Sequence, residues 1–383
     1  MTRRWLLVLL SLTVLLAGLL PARPTLAGGP PAGASWQVHD PIIYSNLALF
    51  PVTASYQHDT RGYLTLDEGL RSGEVEVTEL GAALLRRRPG GPSQGGAQVN
   101  TLALINHSKR PLILLAGEIV TGGKQDRVIS KDRVVPPGAE PLPLDVFCVE
   151  PGRWHGASHA FVGQSFMAAP KVREKAAVAK NQQEVWAATD QVRSGVAAGT
   201  GGEVPASRAQ AELGRSSSYA QLENSEVFKR RIDDASGALQ RDYERALRGA
   251  LRGKDVVGVV VAINGEVVWA DLFADSNLFQ RYWPKLLRSY VVEAMSGPTI
   301  EHARALTKTA ERFLAERDGK QIIEVEPGEY RLVQIEHPRY NVFQLASLVE
   351  KDEPLLHFNK LRKEVSPRPH PKPIPVPMPR RDP

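Results

Sequence analysis

The sequence is poor in the features that most often name a reaction. It has one cysteine, Cys148, in 383 residues. An intramolecular disulfide is therefore impossible, and stability must come from packing. Val146-Phe147-Cys148-Val149 reads as a buried strand in which the thiol acts as a small hydrophobe. There is no G-x-x-x-x-G-K-[ST] phosphate loop. Gly163-Gln164-Ser165 lacks the second glycine of a serine-hydrolase elbow. No apolar run beyond Leu20 is long enough to span a bilayer. The body also lacks a charge excess. Of the formal +6, Arg3, Arg4 and Arg23 supply three, and Arg368, Lys372, Arg380 and Arg381 against Asp382 supply a net three. A neutral body argues against nucleic acid as a partner, because backbone phosphates need Lys and Arg clustered on the fold.

What is present begins with an export signal. Thr2-Arg3-Arg4 is a short positive region, and Trp5 to Leu20 is apolar apart from Ser11, Thr13 and Gly18. Pro21 breaks the run, and Thr25-Leu26-Ala27 offers small residues at the −3 and −1 positions, so cleavage is expected after Ala27. The apolar run is 16 residues, short of the roughly 20 that cross a membrane. The mature chain is expected to be periplasmic or extracellular, with no retained transmembrane helix. Residues 28–40 read as a linker. At the other end, residues 362–383 form a basic tail with proline at every second position from Pro367 to Pro379. This favours an extended, disordered spacer.

Between them the patterning predicts an α+β fold, mainly an antiparallel sheet system or sandwich with a helical excursion. The β part is 41–170. It includes a half-exposed strand at Glu74–Leu80, a low-complexity Arg/Gly loop at 86–98, and strands at 99–106, 111–116 and 142–149. The excursion is 171–253. Val172, Ala176, Ala179 and Trp186 fall on one helical stripe, and Ile232 to Leu251 repeat at three and four residues. Residues 194–218 read as a mobile Gly/Ala/Ser-rich insertion between two helices. Val256–Ile263, Asn264-Gly265 and Glu266–Phe273 form a hairpin whose Asn-Gly suits a type I′ turn. A helix at 276–294, kinked or restarted at Pro284, completes the unit at 255–295. The family-like domain is set at 41–297. Residues 298–361, a helix at 299–314 and four strands, extend it.

Two segments are candidate sites. In Gly117-Glu118-Ile119-Val120-Thr121-Gly122-Gly123-Lys124-Gln125-Asp126-Arg127, the two glycines can present N–H groups to an anion, and Lys124 and Arg127 add charge. Glu118 and Asp126 are the candidate acid/base residues. The competing reading is a hairpin turn whose charges pair with one another. In Glu150, Arg153 and Trp154, an arginine beside an indole can read a planar or anionic ligand, or the indole can plug the core edge. His155 and His159 with Glu150 do not make a metal site, because Pro151, Gly152 and Gly156 break the helical spacing it would need. Trp269, Asp271, Tyr282, Trp283 and Tyr290 either line an aromatic pocket or pack as core.

These segments resemble a known family, the ARG and rhodanese-phosphatase-superfamily-associated protein domain. The resemblance rests on Gly117-Glu118, Gly123 to Arg127, Pro136-Pro137-Gly138, Cys148 to Trp154, Val268 to Phe273, Tyr282-Trp283, Leu286-Leu287 and Tyr290. It implies genomic company with ADP-ribosylglycohydrolases and phosphatase-like proteins, hence a nucleotide-derived ligand. It carries no established reaction or cofactor. Two functions follow as expectations. One is a binding or interaction domain that takes a small anionic or nucleotide-like ligand, or another envelope protein, through Gly122, Gly123, Lys124, Arg127, Glu150, Arg153 and Trp154. The other is a hydrolase on a phosphorylated or ADP-ribose-like compound that uses Glu118 or Asp126.

Overall fold

The computed structural model describes residues 35–80, 100–138, 140–152, 160–200, 202–300 and 303–363. The segment read above as an export signal, most of the expected linker, the Arg/Gly loop at 86–98 and most of the proline-rich tail lie outside them.

Strands β1 (Trp36–Val38), β2 (Ile42–Tyr44) and β3 (Leu47–Ala54) open the chain. Strand β4 (Leu64–Thr65) runs into helix α1 (Leu66–Ser72), where Thr65 and Glu68 form a capping box and Gly73 closes the helix at φ 74°. Strands β5 (Val75–Glu79), β6 (Thr101–Asn106), β7 (Leu112–Leu114), β8 (Glu118–Gly122), β9 (Arg127–Ile129), β10 (Arg133–Val135), β11 (Leu142–Cys148) and β12 (Phe161–Met167) follow. The helical part holds α2 (Pro170–Glu174) with a wider π turn (Lys175–Ala179), α3 (Gln182–Ala198), α4 (Ala206–Gly214), α5 (Gln221–Asn224) and α6 (Glu226–Arg248). The hairpin β13 (Val256–Ile263) and β14 (Glu266–Phe273) leads to α7 (Ser276–Met295), α8 (Thr307–Ala315), β15 (Lys320–Glu326), β16 (Tyr330–Glu336), β17 (Tyr340–Ser347) and β18 (Leu355–Arg362).

The α+β class holds. The hairpin is the one the sequence predicts, with Asn264 and Gly265 at φ 52° and 78°. The antiparallel sheet system that the sequence predicts is built from more than one sheet. The first and last strands form a nine-stranded antiparallel sheet, ordered β1-β3-β13-β14-β18-β17-β16-β15 with β2 also on β3, while β4 to β12 form smaller sheets of their own. The reason is register. Leu47–Thr53 pairs along the all-apolar β13, a partner that no strand from 64 to 167 takes. The C-terminal strands extend this sheet as a meander.

The helical expectations also change. Residues 171–193 are not one helix: Lys180 takes a left-handed conformation at φ 49°, and Asn181 caps a new helix through Gln183 and Glu184 N–H. The break rotates the buried face onto Val185, Ala188 and Val192 rather than Trp186. Residues 194–218 are not merely an insertion. They hold the end of α3 and all of α4, whose Ala209 and Glu212 are buried. Helix α7 runs unbroken past Pro284, and α8 starts at Thr307 rather than near 299.

Alternation gives the large sheet two inward faces. On one face Val259, Val261, Trp269, Phe273, Phe343, Leu345 and Leu361 pack with the helices and the β5–β12 region. On the other, Val260, Ala262, Ala270, Val342 and Phe358 pack under α8 through Ala310 and Leu314.

Candidate functional site

The first face carries buried charge where apolar side chains would be expected. Asp271 sits inside the run Val267-Val268-Trp269-Ala270-Asp271-Leu272-Phe273 and is fully buried. A lone carboxylate there would be prohibitive, and the fold surrounds it with donors. Arg173 gives a two-pronged bond, Nη1 to Oδ2 and Nη2 to Oδ1, each 3.1 Å. Trp269 Nε1 donates at 2.9 Å, Asn359 Nδ2 at 2.7 Å, and Tyr290 donates its hydroxyl. His357 Nε2 is 3.2 Å away. Burial alone would raise the Asp271 carboxyl, but Arg173 and His357 outweigh it and hold it well below the usual range.

His357 extends the network. Its Nδ1 is 2.5 Å from Asp132, whose other oxygen accepts from Ala116 N–H at 2.8 Å. Burial works against the imidazolium, yet Asp132 and Asp271 push it up to about 9. Asp132–His357–Asp271–Arg173 is thus a charge-balanced chain that links the loop before β10, two strands of the large sheet and α2. Gly117 makes room for it. At φ 97°, a Cβ there would stand 2.4 Å from Arg173 Cγ.

This chain opens into a cleft. Asp132, Arg173 and Asn359 reach it from the network, and Trp269, Phe343 and Leu361 form its apolar wall. The Arg173 guanidinium lies 4.6 Å over the Trp269 ring. At the rim, Lys131 pairs with Glu324 at 2.6 Å, and Lys180 stands exposed with no ion-pair partner among the described residues. Cross-strand pairs place Asn341 between Leu361 and Glu336 on the same face. Asn341 is fully buried, and neither polar atom of its amide has a partner among the described residues.

The residues singled out from sequence fall elsewhere. Glu118 lies at the open end of the β8–β9 hairpin, where its carboxylate accepts from Leu115 N–H at 2.7 Å and Lys285 Nζ at 2.5 Å. Lys285 also holds Asp67 at 3.0 Å. Burial and the Asp67 charge raise Glu118, while Glu118 and Asp67 together keep Lys285 protonated despite its burial. Gly122, Gly123, Lys124, Asp126, Arg127 and Glu150 gather at the opposite, turn end. Asp126 accepts from Gly122 N–H at 3.1 Å and Ser218 Oγ at 2.5 Å, and its own N–H donates to Glu150 at 3.1 Å. Lys124 N–H donates to Glu79, and the Arg127 side chain is buried beside Gln125. The hairpin therefore separates Glu118 from Asp126, and much of the turn's polar character bonds inward. Cys148 is buried there, and burial pushes its thiol up to about 11. Arg153, Trp154, His155 and His159 lie outside the described residues. Of the aromatic set, Tyr282 bonds Ile113 O and Trp283 bonds Gln240, as core would, whereas Trp269 lines the cleft.

For metals, His58, Glu350 and Asp352 have ligand atoms within 4.8 Å of one another. His58 turns Nε2 to Glu350 and Nδ1 to Asp352, at 3.1 and 3.4 Å.

Fold and site define an α+β domain with a cleft on one face of a nine-stranded antiparallel sheet, backed by a buried ionic chain. The chain belongs to the ARG and Rhodanese-Phosphatase-superfamily-associated Protein domain family, whose profile matches residues 35–359. No curated protein and no solved structure matches the chain.

Proposed function

We propose that the protein is a ligand-binding domain whose cleft between Arg173, Trp269, Lys180 and Phe343 takes a small anionic ligand with a planar body. The observation that carries this reading is the Arg173–Trp269 pair. Arg173 is spent on Asp271 and Ala116 O and fixes the Trp269 ring, which with the exposed Lys180 ammonium makes a preorganised place for a flat ring carrying negative charge at its edge. Lys180 at the rim adds positive charge. A nucleotide-like compound fits these groups and agrees with what the family resemblance implies. Hydrolysis by Glu118 or Asp126 has less support, since the carboxylate oxygens of both accept bonds from fixed protein groups away from this cleft.

The test is calorimetric titration of the mature chain with ADP-ribose and AMP. Binding is expected, and Lys180→Glu and Trp269→Ala should each weaken it. No heat with either compound, or full affinity in both variants, would sink the reading. We also infer export, with cleavage after Ala27. Mass spectrometry of the protein recovered from the envelope or medium should give Gly28 as its first residue.

A further inference from the structure

The other face of the same sheet carries a second cavity. We propose that it is a binding site for a planar, cationic small molecule bearing a carbonyl acceptor. Cross-strand pairs place Leu272, Phe358, Gln344 and Val333 in one row. That row floors a cavity with Trp36, Tyr56, His58 and Asp352 among its walls. Gln344 is the informative residue. It is 3% exposed, it sits between two apolar neighbours, and its Nε2 has no hydrogen-bond partner among the described residues. A buried donor without an acceptor is destabilising by itself, and a ligand carbonyl reaching the floor would satisfy it.

The rest of the cavity sets the ligand's shape and charge. Trp36 and Phe358 meet edge to face at 4.9 Å, and Tyr56 is half exposed at the mouth. The Trp36 ring already takes a cation, since the Arg317 guanidinium lies 4.8 Å from it. At the rim Asp352 and Glu353 stand with Arg331 and His58. Arg331 is tied to Glu353 at 2.7 Å, and Glu350 and Asp352 flank His58. Aromatic walls with acidic groups at the opening favour a flat cation, and the amide at the floor selects one that carries an acceptor. This site is independent of the cleft described above, which lies on the opposite face.

The probe is 1-methylnicotinamide, a planar pyridinium with one amide carbonyl, titrated calorimetrically into the full chain. One site is expected. Gln344→Leu removes the unpartnered donor, so it should hold or raise Tm while weakening the probe about tenfold. Gln344→Met is the substitute if the leucine variant does not fold. Asp352→Asn should weaken the cationic probe and leave neutral nicotinamide unchanged. Lys180→Glu, in the first cleft, should leave both unchanged. The proposal is overturned if the wild type does not bind the probe at millimolar concentration, or if the Gln344 variants bind it as tightly as the wild type.

Discussion

His357 holds a proton that water alone would not leave on it at neutral pH. Its folded value is about 9 against 6.5 for an ordinary imidazole. Its contribution to stability is therefore complete below pH 6.5 and is lost as pH rises through 9. Wild type should lose on the order of 2–3 kcal/mol between pH 6 and 9.5 that His357→Gln does not lose, measured by urea unfolding at each pH. Lys360 acts in the opposite sense. Burial lowers its ammonium to about 7, so its penalty is present below that value and eases toward pH 10.5. Both proteins carry Lys360, so the difference between them isolates His357. Gly117 gives a second residue-level expectation. Gly117→Ala meets both a positive φ and a contact of 2.4 Å with Arg173. It should cost about 2–4 kcal/mol by thermal or urea unfolding, and more than Gly138→Ala, which has a positive φ but open space around it.

Two glycines in helices show why packing decides what propensity only suggests. Gly237 in α6 has nothing nearer than Arg241 Nη1 at 3.4 Å, so Gly237→Ala should stabilise the protein by about 0.5–1 kcal/mol. Gly195 in α3 lies where a Cβ would be 1.9 Å from Ser296 O, at the end of α7. Gly195→Ala should destabilise by about 2–4 kcal/mol although it raises helix propensity. Paired thermal melts of the two variants check the sign. Sequence shows both glycines equally, but only the crossing of α3 against Ser296 separates them. The same holds for the elements themselves. The β13–β14 hairpin was legible because Asn264-Gly265 and two apolar runs state it locally. The break at Lys180 was not, because a left-handed lysine leaves no mark in composition.

At the scale of the whole molecule, the cleft is built from parts that sequence distance conceals. Asp132, Arg173, Trp269, Asp271, His357 and Asn359 are spread from residue 132 to residue 359, and no short motif contains more than two of them. A trace was nonetheless present. Asp271, His357 and Asn359 alternate with the apolar Trp269, Phe273 and Leu361 on one face of their strands, where a polar residue needs a partner across the core. The segment that drew attention instead, 117–127, carries dense charge that serves a turn. The same dispersal makes the last strands indispensable. β18 lies between β14 and β17 and supplies His357 and Asn359, so it is interior to the sheet rather than attached to its edge. A chain ending at residue 297 would leave β14 without its neighbour, Asp271 without two of its donors and Asp132 facing no imidazole. Such a chain, residues 28–297, should lack a cooperative thermal transition by circular dichroism, whereas residues 28–363 should melt in one step. A sharp transition in the shorter chain would mean that the β18 network is not needed for folding, and that the sheet closes on β14 alone.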